Sequence, residues 1–399
     1  MGFKNINEEL IKHCKSLNYV EPTQIQNLVI PYMLKGRDII AISKTGTGKT
    51  LCFCLPIMNN LLKRNRAWHS LILTPTRELA TQIAEEFQKI GNPFGLRISL
   101  ITGGGCMSQQ KASLAQKPHV IIATPGRFAD HIKNSDSLGL KKIRYLVLDE
   151  ADRLLEMDFG KDIEIILDSI SNKRHTFLFS ATINDKVEGL ARLSLKNPQK
   201  FELSKSTETV DTLEQKYILV PEKYKEIYLY YILKENEGRS ILVFVATTLS
   251  AEVLGRLYQQ IGMETLILYG SLKLKERSKV INEFKSRKNM VMIATDVASR
   301  GLDIPHIDLV INYDVPITGE DYIHRVGRTA RAGRTGKAIT IITQYDIGPY
   351  QKIEAYLGVK LTDYKLDREK VMANKERINS LKDKVVEKGK QIVYKKSDK

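Results

Sequence analysis

Cysteine is scarce in this chain of 399 residues. Cys14, Cys52, Cys54 and Cys106 all lie in the first half, form no C-x-x-C pair and have no histidine cluster beside them. That pattern argues against a zinc site or a disulfide framework and suits a reducing intracellular compartment. Long apolar runs are missing too, and none approaches the roughly 20 residues that a membrane-spanning helix needs. No membrane partner is expected. The opening MGFKNINEEL has no apolar signal region. Ile6 stands where a myristoylation motif starting at Gly2 would require Ser or Thr. Acidic residues are outnumbered: 46 Asp and Glu against 62 Lys and Arg leave a net charge of +16. A chain this basic meets polyanions readily, although a solvated lysine-rich surface has the same charge.

What is present is a regular alternation. Short β-rich runs, RDIIAI, HSLILT, LRISLIT, HVIIAT, YLVLD and TFLFSAT, are separated by helical patterns such as TRELATQIAEEFQKI. The second half repeats the rhythm with ILVFVAT, TLILYG, VMIATD, LVINYD and AITIIT. Strands alternating with helices predict an α/β fold whose parallel sheets are covered on both faces. The length is long for one domain and comfortable for two. A polar, Ser/Thr-rich stretch near Leu203–Thr212 reads as the linker. The expected division is 1–205, a linker at 206–212, 213–360, and a basic extension from 361 to 399. That extension reads as helical and then frayed, either solvated or in contact with RNA or an import factor.

Small, polar and charged residues cluster just beyond these runs, at the sheet edge where open α/β folds bind ligands. SKTGTGKT, comprising Ser43, Lys44, Thr45, Gly46, Thr47, Gly48, Lys49 and Thr50, follows one strand and precedes a helix. This is the context of a phosphate-binding loop, with Ser43 in place of the first glycine. Lys49 is expected to reach the β and γ phosphates of ATP, and Thr50 to hold Mg²⁺. In IRYLVLDEADRLLEMDF an apolar strand ends in Asp149, Glu150 and Asp152. Asp149 completes the Mg²⁺ site, and Glu150 is placed to activate the attacking water. A second reading makes Asp149 the N-cap of the next helix, with Asp152 in a capping box. In YIHRVGRTARAGR, Arg325, Arg328 and Arg331 recur every three residues. They read either as a basic surface patch or as arginine fingers, with Arg328 and Arg331 the catalytic pair. A finger is worth about 10³ to 10⁵ in rate, or roughly 4 to 7 kcal/mol. If they act from the second domain, ATP joins the two halves.

PTQIQ, SKTGTGKT, PTRELA, TPGR, DEAD, SAT, TDVASRGLD and HRVGRTARAG occur in this order. From Phe3 to about residue 360 the chain resembles the DEAD-box RNA helicases. The resemblance implies two tandem RecA-like domains, hydrolysis of ATP with Mg²⁺, RNA as partner, and a monomer. It implies that Gln26 reads the adenine edge, that Tyr19 stacks on the base with Phe3 behind it, and that Asp303 contacts the nucleotide. It makes Asp152, Ser180, Thr182 and His324 couplers between ATP and RNA. It assigns RNA contact to Pro75, Thr76, Arg77, Gly103, Gly104, Thr124, Gly126 and Arg127, and in the second domain to Thr247, Gly270, Thr295 and Arg300. The segment FADHIKN would be a wedge that bends one strand. Asn18, Tyr269 and Leu274 depart from the family pattern, where Gly, His and Gln are usual; Arg277 remains.

KPHVIIATPGR, EMDF, RHTFLFSAT and AITIITQYDI resemble the DEAD-box helicases of small-subunit ribosome biogenesis. That similarity implies a nuclear, nucleolar protein working on the 18S rRNA precursor among ribosome-assembly proteins. Two activities fit the same motifs: local unwinding of short duplexes, or an ATP-gated RNA clamp. A processive DNA translocase fits less well, because no additional DNA-reading domain is evident.

Overall fold

The apolar runs form strands buried at nearly every position. β1 (Ile39–Ile42), β2 (Ser70–Leu73), β4 (Val120–Ala123) and β5 (Tyr145–Leu148) are each buried throughout. Continuous burial, rather than alternation, marks strands covered on both faces. In the computed structural model the described residues are 3, 5–43, 47–135, 138–203, 213–287, 290–296, 307–330, 335–382 and 385.

The chain divides into two compact units, Met1–Ser206 and Thr207–Lys399. In the first, β3 (Ile98–Ile101), β6 (His175–Ser180) and β7 (Gln199–Glu202) complete a seven-stranded sheet of order β3-β4-β2-β5-β6-β1-β7. All its strand pairs are parallel. The second unit has β8 (Leu213–Leu219), β9 (Ile241–Val245), β10 (Thr265–Leu268), β11 (Val291–Thr295), β12 (Leu309–Asn312), β13 (Gly336–Ile342) and β14 (Thr362–Asp363). Its order is β10-β11-β9-β12-β13-β8-β14, again parallel. Adding seven to each strand number of the first sheet gives the second. The two units share one winding.

Successive residues of a strand point to opposite faces and feed different cores. In the first unit Ile39, Ala41, Ile72, Ile122, Val147 and Phe177 join one layer, while Ile40, Ile42, Leu71, Leu146 and Leu148 join the other. Among the described residues, no helix is long and apolar enough to cross a membrane.

Three strands carry no apolar run that a sequence scan would catch. β7 is an edge strand, QKFE, exposed at three of four positions. β8 buries only Leu213 and Ile218 fully, although it pairs with both β13 and β14. β14 is two exposed residues added beside β8. Backbone pairing rather than side-chain burial makes these strands.

The beginning of the basic extension is part of the second unit. The short helix Arg368–Met372 and the helical residues 375–382 bring Val371 and Ile378, both fully buried, into the core with Ile227, Leu229 and Tyr258. Lys382 pairs with Glu226 at 2.6 Å. Replacing Ile378 with Ala is therefore expected to cost about 2 to 5 kcal/mol in urea unfolding of the second unit. ADP affinity should be unchanged. An unmoved unfolding midpoint would show that the segment merely lies on the surface.

Candidate functional site

The parallel ladders continue one residue beyond several strands. Ser43 N–H donates to Ser180 O at 3.1 Å, Asp149 N–H to Leu73 O at 2.9 Å, Thr74 N–H to Ala123 O at 3.1 Å and Thr124 N–H to Ile101 O at 3.0 Å. Residues far apart in sequence thus stand in line along the carboxyl edge of the first sheet. Helices begin directly behind them: Lys49–Lys63 after Gly48, Arg77–Gly91 after Thr76, and Pro125–Lys133 after Thr124. Their amino ends bring free backbone N–H groups and positive dipole ends to one face.

Lys49 opens its helix and is buried, its Nζ donating to Ser43 O at 2.7 Å. The Ser43 and Thr47 hydroxyls are 3.0 Å apart. Thr50 is half-buried on the first turn. Lys44, Thr45 and Gly46 lie outside the described residues. Gly48 turns the chain at φ +90°, and a Cβ there would come within 2.5 Å of the Gln26 amide nitrogen. Glycine is required on both counts.

Gln26 is almost fully buried and fastened at both ends. Its Oε1 accepts from Thr23 N–H and its Nε2 donates to Gly48 O, each at 2.9 Å. The amide expected to read adenine is oriented by the phosphate loop itself. Tyr19 is half-buried, its hydroxyl donating to Glu86 Oε1 at 2.5 Å. Phe3 lies within the core layer against which Tyr19 packs.

The three acids diverge. Glu150, not Asp149, is the N-cap of the helix Ala151–Glu156, and it sits in the left-handed region at φ 49° with no side-chain cap bond. Asp149 Oδ1 instead accepts from Glu150 N–H at 3.0 Å. The capping-box reading of Asp149 and Asp152 therefore fails. Asp152 points to the adjacent strand end, where its Oδ2 accepts from Ala181 N–H at 3.2 Å and from the N–H and hydroxyl of Thr182, both at 3.0 Å. Its own N–H donates to the Ser180 hydroxyl at 3.3 Å. Burial pushes the Asp149 carboxyl from 3.8 up to about 7, with Lys49 pulling it down and Glu150 adding to the rise. A cation beside it would restore the ionised form.

Further along the edge, Arg77 lies across Gly103 and Gly104. A Cβ on Gly104 would fall 2.1 Å from its guanidinium, and one on Gly103 3.0 Å. Pro75 is buried just ahead of the Thr76 cap, while Gly126 is half-buried on the next helix. Arg127 donates to Gly105 O at 2.8 Å and to Gln110 Oε1 at 3.3 Å. Gln110 also donates to Thr102 O at 2.8 Å and contacts His131 Nε2 at 3.0 Å. This buried glutamine positions Arg127, and nothing in its sequence neighbourhood marks it.

In the second unit Thr247 caps the helix Thr248–Ile261 with nearly the same backbone angles as Thr76, and it follows β9, the counterpart of β2. Thr295 ends β11, and Gly270 lies exposed beyond β10. Tyr269 is turned inward: it is 1% exposed and donates to Glu252 Oε1 at 2.5 Å, while Arg256 holds the other oxygen at 2.7 Å. Arg325 is clamped on Asp296 at 2.7 and 2.6 Å and donates to Asp314 O at 2.6 Å. That commitment makes it a structural arginine. Arg328 and His324 are buried on the same segment, with Arg328 Nε donating to His324 O at 3.3 Å. Arg300, Asp303, Arg331 and the side chain of Leu274 lie outside the described residues.

Among the described residues the second unit has no counterpart of the phosphate loop after its matching strand, β8. After β8 the chain reads VPEKYKE. Lys225, which opens the following helix as Lys49 does in the first unit, pairs directly with Asp314 at 2.8 Å and lies over the Tyr313 ring. Asp314 is the second residue past β12, the place that Glu150 takes past β5 in the first unit.

Family models described as DEAD/DEAH box helicase and helicase conserved C-terminal domain match residues 23–190 and 223–333. The ATP-dependent RNA helicase DDX47 of Drosophila melanogaster is 47% identical over 94% of this chain and 74% of its own length. The chain belongs to the DEAD-box family of ATP-dependent RNA helicases. The ATP-dependent rRNA helicase rrp3 of Schizosaccharomyces pombe is 45% identical over 96% of this chain and 83% of its own. Among solved structures, S. cerevisiae Dbp5 bound to RNA and ADP BeF3 matches with a TM-score of 0.83 at 30% identity, covering 96% of this chain and 98% of that one. Both units of this DEAD-box protein are RecA-like, and the motif that names the family is the segment Asp149–Asp152.

The raised Asp149 carboxyl has a stability consequence. Between about pH 4 and 7 the folded, nucleotide-free protein retains a proton that the unfolded chain has released, so stability falls as pH rises through that window. Asp149→Asn is expected to remove that slope and to raise nucleotide-free stability near pH 8 by a few kcal/mol at most. Thermal unfolding across pH measures it; parallel pH profiles for both proteins would contradict the assignment.

Proposed function

We propose that this helicase hydrolyses ATP through Lys49, Asp149 and Glu150 of the first unit, with Arg328 and Arg331 of the second. Lys49 leaves Ser43 O to bind the β and γ phosphates, the loop Ser43–Thr50 cradles them, and Gln26, Tyr19 and Asp303 orient the nucleoside. Thr50 and Asp149 hold Mg²⁺, which when bound neutralises phosphate charge and polarises the terminal phosphoryl group. Glu150 orients the attacking water and takes its proton. The observation that carries this reading is Asp149, a buried carboxylate whose charge Lys49 only partly offsets, at the end of a central strand beside the phosphate loop.

RNA is gripped along its backbone by Pro75, Thr76, Arg77, Gly103, Gly104, Thr124, Gly126 and Arg127, and by Thr247, Gly270, Thr295 and Arg300 in the second unit. Helix amino ends, hydroxyls and guanidinium groups suit phosphates and 2′-OH groups and read little base identity. Tyr269 contributes only through the backbone it steadies ahead of Gly270. Asp152, Ser180, Thr182 and His324 transmit the state of the nucleotide to the RNA contacts; the bonds from Asp152 to Thr182 support this. The similarity to rrp3, named as an rRNA helicase, supports an rRNA substrate; with the motif resemblance we propose a pre-rRNA of small-subunit assembly, a nucleolar location and ribosome-assembly proteins as partners. We propose that the protein acts there as a monomer.

ATP turnover is expected to rise on adding single-stranded RNA and not on adding DNA of equal length, at matched salt. Equal stimulation by DNA would overturn the backbone assignment. Glu150→Gln should lower kcat by about 10² to 10⁴-fold while ATP affinity persists. Turnover near wild type would remove Glu150 as the base.

A further inference from the structure

At the opposite edge of the first sheet, where β2, β4, β5 and β6 begin, lies a cavity of about 970 Å³. Arg66, Lys111, Lys117, Lys142, Arg144 and Lys173 line it, and no carboxylate does among the described residues. A seventh cation, Lys141, is tied to the carbonyls of Asp168 and Ile170 at 3.0 and 3.3 Å. Asp130, next to the lining residue His131, and Asp168, whose carbonyl holds Lys141, are near the cavity without lining it. Concentrating seven cations around one hollow is unfavourable without a counter-charge.

One wall of the cavity is a buried histidine. His131 lines the cavity and is fully buried, and its Nδ1 has no hydrogen-bond partner. Its Nε2 faces Gln110 Oε1 at 3.0 Å, so Nε2 carries the proton and Nδ1 is the bare acceptor. Nδ1 has no accessible surface and, like a phosphate oxygen, accepts rather than donates, so the ring builds the cavity wall without bonding an anion. The local field is cationic: burial first, then His119, Arg66 and Arg144, pushes His69 from 6.5 down to about 4.

We propose that this cavity is a binding site for a compact polyphosphate, separate from the nucleotide site. Its volume falls in the small-molecule range of roughly 300 to 1,000 Å³. Five of the seven cations are lysines, mobile point charges that suit clustered phosphate oxygens. Among the described residues the lining offers no exposed aromatic ring on which RNA bases could stack. The aromatic ring here, Trp68, is 5% exposed and packed so closely on Gly139 that a Cβ there would lie 2.7 Å from the indole. The site is wired to the opposite edge, since Gln110 Oε1 contacts both His131 and Arg127.

Trp68 is the only tryptophan in the chain, so its emission reports on this cavity. The full-length protein, with its nucleotide site saturated by ADP and Mg²⁺, is titrated with inorganic tripolyphosphate by calorimetry and by Trp68 fluorescence. One site with a matching emission change is expected, weakening with salt. The exposed pair Lys142→Glu and Lys173→Glu should weaken it at least about tenfold. The milder Lys142→Gln and Lys173→Gln pair, checked for an unchanged melting temperature, should weaken it by about threefold or more. Absence of binding heat, or binding that both pairs leave intact, overturns the proposal. So does a ten-nucleotide RNA that changes Trp68 emission where tripolyphosphate does not, because the cavity would then be a nucleic-acid surface.

Discussion

Every strand in each sheet runs the same way, and the chemistry depends on that constraint. Parallel pairing forces all the strands of the first unit to end at one edge, so residues from 43 to 182 meet there. It also puts the amino ends of the following helices on that edge, which supplies N–H donors and positive dipole ends for anions. The positive charge at that edge is built mainly from backbone and a few side chains such as Lys49, Arg77 and Arg127. An antiparallel sheet with the same side chains would scatter them over two edges.

The two units show how one winding reaches different ends. In the first, Lys49 and Asp149 are held by separate partners, Ser43 O and Glu150 N–H. In the second, Lys225 and Asp314 satisfy each other, and the Tyr313 ring covers the ammonium. In this direct pair, with Lys225 buried and Asp314 half-buried, the lysine is already committed to a carboxylate. The phosphate-loop motif SKTGTGKT stands only in the first unit.

Charge is distributed differently on the opposite edge. There the cations are side chains arriving from separate stretches between Arg66 and Lys173, and no carboxylate lines the hollow among the described residues. The helix Pro125–Lys133 spans both edges, with Arg127 near its start and His131 near its end. Gln110 touches both, so a change at one end has a short polar route to the other.

The order of the motifs, the alternation of strands and helices and the net charge were all legible in the sequence. Each depends on residue type and local spacing, and apolar runs buried on both faces are continuous enough to stand out. The tertiary structure alone decided what does not depend on local pattern. β7, β8 and β14 are strands because of backbone pairing, not burial. Asp152 joins Thr182 rather than its own helix cap, because parallel pairing of β5 with β6 brings residues thirty apart to one strand end. Arg325 is structural because Asp296 meets it, Tyr269 is buried because Glu252 accepts its hydroxyl, and Gln110 matters through partners 8 to 21 residues away. A local sequence window holds one member of each such pair, and the energy of the contact belongs to both.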